Sequence, residues 1–595
     1  MSGRTTPDEE TSPLLGHHRT ESYQTLVTNE TTPNAKGREA PGVNLVWVLA
    51  ALWSAVFLGA LDGTIVATLL SPIGAHFNRS NQSSYIGTAY LLSVCCFTPL
   101  YGRLSDILGR KGAMLLALSL FGSGTLLCGI APSMNVLIAA RAIAGMGGGG
   151  SVLEFCAFVV GLNAFVPVHR VMTVSSIAVT DLIPLKKRGL YQGLANVLFG
   201  AGAGLGGPLG GWLNDQFGWR SAFLFQASIV PILAASMILV SIKVNIPLPE
   251  EVRSLPLHTK LGRIDCFGSL TLVLTVGCLL LGLSLKSTEE LPWSHPLIWG
   301  LIFASGVWGI IFVIVEIRVA TYPVMPIRLI KQRTPLAASL ANFFASFAAF
   351  SMLYNVPLYF SAVRLNSSTD AGLHLLPHSI ALSCGSLFAG WMMRRTGKLY
   401  SLTLVSVLLG IMACISVSLW NFNTSEFHLW LDLIPQGFGI SSMITSTLIA
   451  IIANVAKEDI AVATGITYLF RTTGQVLGVS LSGALLQAIL TKQLRKRVTG
   501  PEAFEIIERI RHSTTIIPEL PAPLRAAAVT SYADALKAVF ICQVAFNVLA
   551  FLCCIPIQEN PLPSIPRATM EEQERLYRDR QTGQNRNSQN ESSTP

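Results

Sequence analysis

Long apolar runs separated by short polar breaks fill most of the chain. They lie at 44–70, 84–101, 112–131, 135–180, 190–213, 221–242, 264–285, 296–316, 335–361, 371–393, 399–420, 430–454, 461–490 and 535–556. A helix needs about 20 apolar residues to cross a bilayer, and hydrocarbon leaves the backbone of a span no partner but its own helix. The pattern therefore predicts an all-α polytopic membrane protein with 14 transmembrane helices. Residues 1–42, rich in Thr, Pro and charge, and residues 557–595, rich in Gln, Asn and Ser, read as disordered tails. The first apolar run is long enough to span, so no cleavable leader is expected.

Composition narrows this reading. Of 595 residues 51% are hydrophobic and 13% charged, against about 25% charged in soluble domains. A net charge of +9 would point to nucleic acid only with a basic face on a soluble fold. Here the bases sit in short loops between apolar runs. With the N-terminus in the cytosol, the inward loops hold eighteen Lys and Arg, and the short outer loops hold four: Arg79, Arg220, Lys286 and Arg364. That bias predicts both termini in the cytosol. The exception is 491–534, with seven bases on the outer side. Glycosylation sequons at Asn78, Asn81, Asn366 and Asn423 fall in expected outer loops. Eleven cysteines form no CxxC pair or Cys/His cluster, so no metal site is expected. No GxxxxGK[ST] loop occurs, which argues against ATP as the energy source.

The fourth run is too long for one helix. From Asn135 to Pro184 there are 50 residues without a cytosolic stop, and two spans here would invert the charge bias of every later loop. Residues 151–170 are therefore set apart as an insertion into one span or an artefact of gene prediction. A second feature is an internal repeat. Gly102 to Lys111 and Gly390 to Lys398 both place a glycine seven positions before another glycine and follow it with a base, on the cytosolic side. Repeated six-span halves with a site between them are one way transporters are built. The expected order is an N-terminal half at 43–242, a linker at 243–333 carrying spans seven and eight, and a C-terminal half at 334–556, hence 6+2+6.

Gly102 to Lys111 resembles the signature loop of the major facilitator superfamily. Leu61-Asp62-Gly63-Thr64-Ile65-Val66 is similar to the first-span signature of its 14-spanner drug:proton antiporter branch. Arg141 with Gly145 and Gly147 resembles the branch's fourth-span motif, and Gly204 through Gly207-Pro208-Leu209-Gly210-Gly211 its fifth-span antiporter motif. Asp215, Gly218, Trp219 and Arg220 match the outer loop that follows, and Leu69 to Ile73 looks most like fungal vacuolar basic amino acid transporters. The resemblance implies the major facilitator fold. It also implies a conformational latch at Gly102, Arg103, Asp106, Gly109 and Arg110, whose bases alone positive-inside anchoring would also explain.

The residues carry their own argument. An intramembrane carboxylate is a functional candidate by default, and Asp62 lies about 12 Å from the outer end of its span, with Arg141 about 9 Å from the end of its own. Similar depth allows pairing. Either Asp62 takes part in proton or cation binding while Arg141 tunes it or holds a substrate carboxylate, or the two form a static ion pair. Gly204, Gly207, Pro208 and Gly211 serve a hinge or close helix packing. Gln436 and Arg471 are polar spots in the second half, Arg471 placed to snorkel. His374 titrates in a range that suits an acidic lumen but also fits a plain interfacial position.

Three readings follow. The first is a proton antiporter carrying basic amino acids into the vacuole, with Asp62 exchanging substrate for proton. The second is a plasma-membrane antiporter exporting cationic drugs or toxins; the third is a non-transporting nutrient sensor. Glu10, Leu14 and Leu15 fit an acidic dileucine sorting signal, which favours the vacuolar membrane. The expected partners are a small-molecule substrate, protons and the bilayer. A monomer without cofactor, catalytic residue or nucleic-acid partner is expected.

Overall fold

The structure, a computed structural model, describes residues 45–160, 185–243, 266–288, 294–319, 327–455, 460–500 and 502–559, and all regular elements among them are helical. In chain order these are α1 (Leu45–His76), α2 (Ser84–Gly129), α3 (Met134–Val160), α4 (Leu185–Phe217), α5 (Trp219–Lys243), α6 (Cys266–Thr288) and α7 (Pro296–Ile314). There follow α8 (Arg333–Ala362), α9 (Ser368–Leu373), α10 (Leu376–Thr396), α11 (Tyr400–Ser418), α12 (Glu426–Leu431), α13 (Ile434–Asn454), α14 (Ile460–Arg497), α15 (Ala503–His512) and α16 (Ala522–Cys554). Among the described residues eight helices are long and apolar enough to cross a membrane, and three shorter apolar stretches, Leu115–Gly129, Met134–Gly148 and Phe267–Leu279, accompany them. The chain is thus a multi-pass helical membrane protein. The sorting residues Glu10, Leu14 and Leu15 lie outside the described residues.

Three local differences from the hydropathy pattern have physical causes. The break expected at Gly102 to Lys111 is absent: Gly102, Arg103, Asp106, Gly109 and Arg110 stand in the helical backbone of α2. Their side chains, and so the latch network, lie outside the described part. Yet α2 is not straight. Gly145 of α3 meets the Tyr90 carbonyl and Gly147 meets the Phe121 amide, although 31 residues of straight helix would span about 46 Å. The reversal falls between Ser93 and Ala117, around the expected loop. Its counterpart does break: Gly397 adopts φ +67° and its N–H closes on the Met393 carbonyl at 2.9 Å, a left-handed helix end that glycine favours.

The second difference is that spans ten and twelve each begin with a short separate helix, α9 before α10 and α12 before α13. Pro377 and Pro435 stand in the first turns of the longer helices, where the missing amide goes unneeded but no preceding turn can be bonded. The third concerns the long loop after α14. It holds α15 and a 3-10 turn (Thr514–Glu519). Its bases are partly neutralised locally: Arg497 pairs with Asp534 at 2.5 Å, and Arg511 with Glu508 at 3.1 Å. Three of the seven close α14, where the helix dipole favours cations. In the fourth span, the helix of α3 continues through residue 160, and the remainder of 151–170 lies outside the described residues.

Helix α4 joins the first helices to the later ones. One of its faces carries Gly202 and Gly206, which lie against the Phe57 and Leu61 carbonyls of α1. Another carries Gly207 and Gly211, which lie against Gly372 and Ser368 of α9; a Cβ on Gly207 would stand 2.7 Å from the Gly372 carbonyl oxygen. Pro208 sits inside the helix without ending it. At the end of α4, Asp215 accepts from the Thr369 amide at 3.1 Å and the Thr369 hydroxyl at 2.5 Å, so it caps the N-terminus of α9. Asn214 adds a bond to Ser368 at 3.2 Å. Elsewhere α6 and α7 pack on each other, and α6 lies alongside α2 and α14.

The sequons mark one end of the bundle. Asn78 and Asn423 are exposed there, Asn366 is half-buried, and the Asn81 side-chain oxygen is buried. We call this the sequon-bearing end.

The α4–α9 closure predicts a cross-link. A double variant Asn214→Cys/Ser368→Cys should form a disulfide under mild oxidation, and adding Gly207→Val should slow its formation several-fold. An unchanged rate on gel-shift analysis would show that this glycine contact does not hold the two helices together.

Candidate functional site

Asp62 of α1 and Arg141 of α3 meet in the interior, both 0% exposed. The guanidinium donates to both carboxylate oxygens, at 2.9 Å from Nη1 to Oδ1 and 3.0 Å from Nη2 to Oδ2. This two-point fork is the geometry in which Arg binds carboxylate best. The Arg141 Nε has no partner. The guanidinium also lies over the Tyr90 ring, 4.2 Å from its centroid, a cation–π contact.

Glycine makes this approach possible. Gly145 and Gly148 of α3 face Tyr90, one against its carbonyl and one against its hydroxyl, and Gly147 faces Ala117 and Phe121 on the other leg of α2. Side chains there would lift α3 off α2 and carry Arg141 away from both Asp62 and the ring. The Arg141, Gly145 and Gly147 pattern therefore seats the arginine between the two legs of α2.

Later helices close the site with aromatic side chains. Tyr354 of α8 lies directly on Gly87 of α2, where a Cβ would run into the ring, and it lies within electrostatic reach of both Arg141 and Asp62. Tyr468 of α14 lies within electrostatic reach of Tyr90 and carries the Arg471 guanidinium 4.2 Å over its ring. Tyr90 thus covers the guanidinium, while Tyr354 of α8 packs on Gly87 one turn from it and Tyr468 of α14 carries Arg471. Sequence reasoning missed all three, because a tyrosine in an apolar span looks like ordinary core. Among the residues it singled out, Asp62 and Arg141 are brought into contact, and Arg471 lies over the Tyr468 ring.

The other two candidates lie apart. Gln436 is buried among the later helices, beside Gly410 and 3.9 Å from Cys414 Sγ, and Cys414 in turn accepts from Asn547 at 3.1 Å. His374 is at the sequon-bearing end, stacked on Phe360 at 3.9 Å and tilted against Trp430 at 4.4 Å. Its Nδ1 lies 2.7 Å from the Asp370 carbonyl and its Nε2 3.8 Å from Glu426. That carboxylate is already engaged by Arg364.

The ion pair is neutral as a whole but offers one anion and one cation. A proton or an ammonium group reaching Asp62 competes with Arg141, and whatever frees Arg141 leaves a fork that seeks a carboxylate. Among the described residues no group of His, Cys, Asp and Glu is arranged to hold a metal.

Comparison with known proteins places this site in a family. The chain is 38% identical over 529 residues to the multidrug resistance protein fnx1 of Schizosaccharomyces pombe, covering 88% of this chain and 94% of that protein. It is 33% identical over 463 residues to vacuolar basic amino acid transporter 1 of Saccharomyces cerevisiae, covering 73% and 76%. Among solved structures it resembles a bacterial homologue of the human lysosomal transporter Spinster, with a TM-score of 0.55 and 15% identity over 87% of this chain and 99% of that one, a likeness of fold. The family model for the Major Facilitator Superfamily matches residues 52–162 and 170–479, its one interruption falling inside the 151–170 stretch. The chain belongs to the major facilitator superfamily of transporters.

Proposed function

We propose that this transporter exchanges protons for basic amino acids and carries them from the cytosol into the vacuole. The observation that carries the reading is the buried two-point Asp62–Arg141 pair, with the Tyr90 ring under its guanidinium. An α-amino acid presents an ammonium and a carboxylate side by side, complementary to one Asp and one Arg. When the site faces the cytosol, Asp62 takes the ammonium and Arg141 the carboxylate, and the pair opens to admit both. The cationic side chain then meets the tyrosine faces. On the acid side a proton takes Asp62 and removes its attraction for the ammonium; Arg141 alone cannot hold the zwitterion. Exchange follows from competition at one carboxylate.

The vacuolar relative supports this substrate and compartment, as does the sorting pattern at Glu10, Leu14 and Leu15. We place the fourteen spans as 6+2+6, with both termini in the cytosol and the sequon-bearing end in the lumen. The Asp106 and Arg110 latch would act at the cytosolic face, and the α4 glycines with Asp215 would close the luminal one. A second reading, export of cationic drugs, is favoured by the multidrug resistance relative and uses the same carboxylate.

Two measurements bear on the site. Acid-inside proteoliposomes of the full chain should accumulate labelled arginine, a protonophore should abolish this, and Asp62→Asn should lose it; undiminished uptake by that variant would sink the mechanism. Stability separates function from packing. Asp62→Asn leaves Arg141 buried and unpaired, which should destabilise the protein in detergent by about 3–5 kcal/mol. The double variant Asp62→Asn/Arg141→Gln should recover most of this loss and still transport nothing. A double variant that regains transport would reduce the pair to a structural role.

A further inference from the structure

Between the ion pair and the sequon-bearing end lies a cavity of about 50 Å³. Early and later helices share it: Thr68 of α1 with Ser80 and Asn81 beyond it, Tyr354 and Asn355 of α8, and Gln487 of α14 line its walls. Thr68 is six residues along α1 from Asp62, about 9 Å of helix. At the far side the hydroxyls of Ser71 and Thr514, which also line it, meet at 2.5 Å.

Two properties set this space apart. Hydroxyl and amide side chains stand among apolar ones in its walls, yet no Asp, Glu, Lys, Arg or His lines it among the described residues. Three of its buried polar atoms have no partner: Gln487 Oε1, Asn81 Oδ1 and Ser80 Oγ, with Gln487 6% and Ser80 9% exposed. The two amide oxygens can only accept. Leaving them unpaired is unfavourable, so the cavity asks for a donor with several N–H or O–H groups. Its size admits roughly three waters, or one ammonium or guanidinium head.

We propose that this cavity is a second, transient binding site for the cationic head of the substrate, reached from Asp62 past Tyr354 on the way to the sequon-bearing face. The inference rests on the exchange reading above and adds to it where the cargo goes when Asp62 takes its proton. Neutral amide and hydroxyl oxygens attract a cation through their dipoles but more weakly than a carboxylate does. A second site that binds weakly is what exit requires, because a pathway conducts only if each site lets go. Tyr354 is the partition. It lines the cavity, and its ring lies on Gly87 of α2, one helical turn from Tyr90, whose ring carries the Arg141 guanidinium.

The test reverses the charge at one position. Acid-inside proteoliposomes of the full chain are preloaded with graded arginine, and uptake of labelled arginine from outside is measured. Internal arginine should inhibit uptake by occupying the exit site. With Gln487→Glu this inhibition should set in at several-fold lower internal arginine and turnover should fall, because the cation is held. With Gln487→Lys it should require several-fold higher internal arginine. If Gln487 variants fail to reach the membrane, Asn81→Asp and Asn81→Lys, on the less buried wall, should show the same opposed pair of shifts. Shifts of the same sign, or none, while Asp62→Asn still abolishes uptake, would overturn the exit site, reduce the cavity to a water pocket and leave the exchange reading standing. A wild-type protein that takes up no arginine would overturn both.

Discussion

Two charges removed from water lie at the centre of this molecule, and much of the packing around them serves to bring them within 3.0 Å of each other. Desolvating a carboxylate and a guanidinium is so unfavourable that only near-ideal geometry offsets it. Here both carboxylate oxygens are met by the fork and an aromatic face covers the guanidinium. The pair stays neutral as a unit, and that neutrality lets it sit in an apolar interior. It also makes the site responsive: any ligand that neutralises one member exposes the other.

Glycine is the means by which the helices come close enough. In α3 the glycines after Arg141 admit both legs of α2, and in α2 itself Gly87 admits the ring of Tyr354. Without side chains at these positions, helix backbones approach each other as small-residue interfaces do in membranes generally. The polar groups and the glycines thus form one design, in which the first needs geometry and the second supplies it.

How much of this was legible in the sequence differs by element. The helices were, because hydrocarbon forces twenty or so apolar residues into each span. Asp62 and Arg141 each stood out as charges in apolar runs, and equal depth pointed to their pairing, although the two-point geometry depends on rotamers that spacing does not encode. The tyrosines were not legible, since aromatic residues in spans look alike whether they face lipid, core or a site. Nor was the helical backbone at Gly102 to Lys111, where glycines that signal a turn elsewhere stay in a bent helix. The same glycine type ends α10 at Gly397, so residue identity alone could not separate the two outcomes.

Helix α4 has glycines turned toward α1 and others turned toward α9, and contacts on both sides are made by backbone rather than by flexible side chains. Flexible side chains absorb small displacements by changing rotamer; backbone atoms in contact do not. A shift of α1 is therefore passed through α4 to α9 with almost no slack, as through a rigid spacer. The helix that carries Asp62 is in this way linked through backbone contacts to the Asp215 cap, about 20 Å along α4 from Gly202, the rise of about thirteen helical residues.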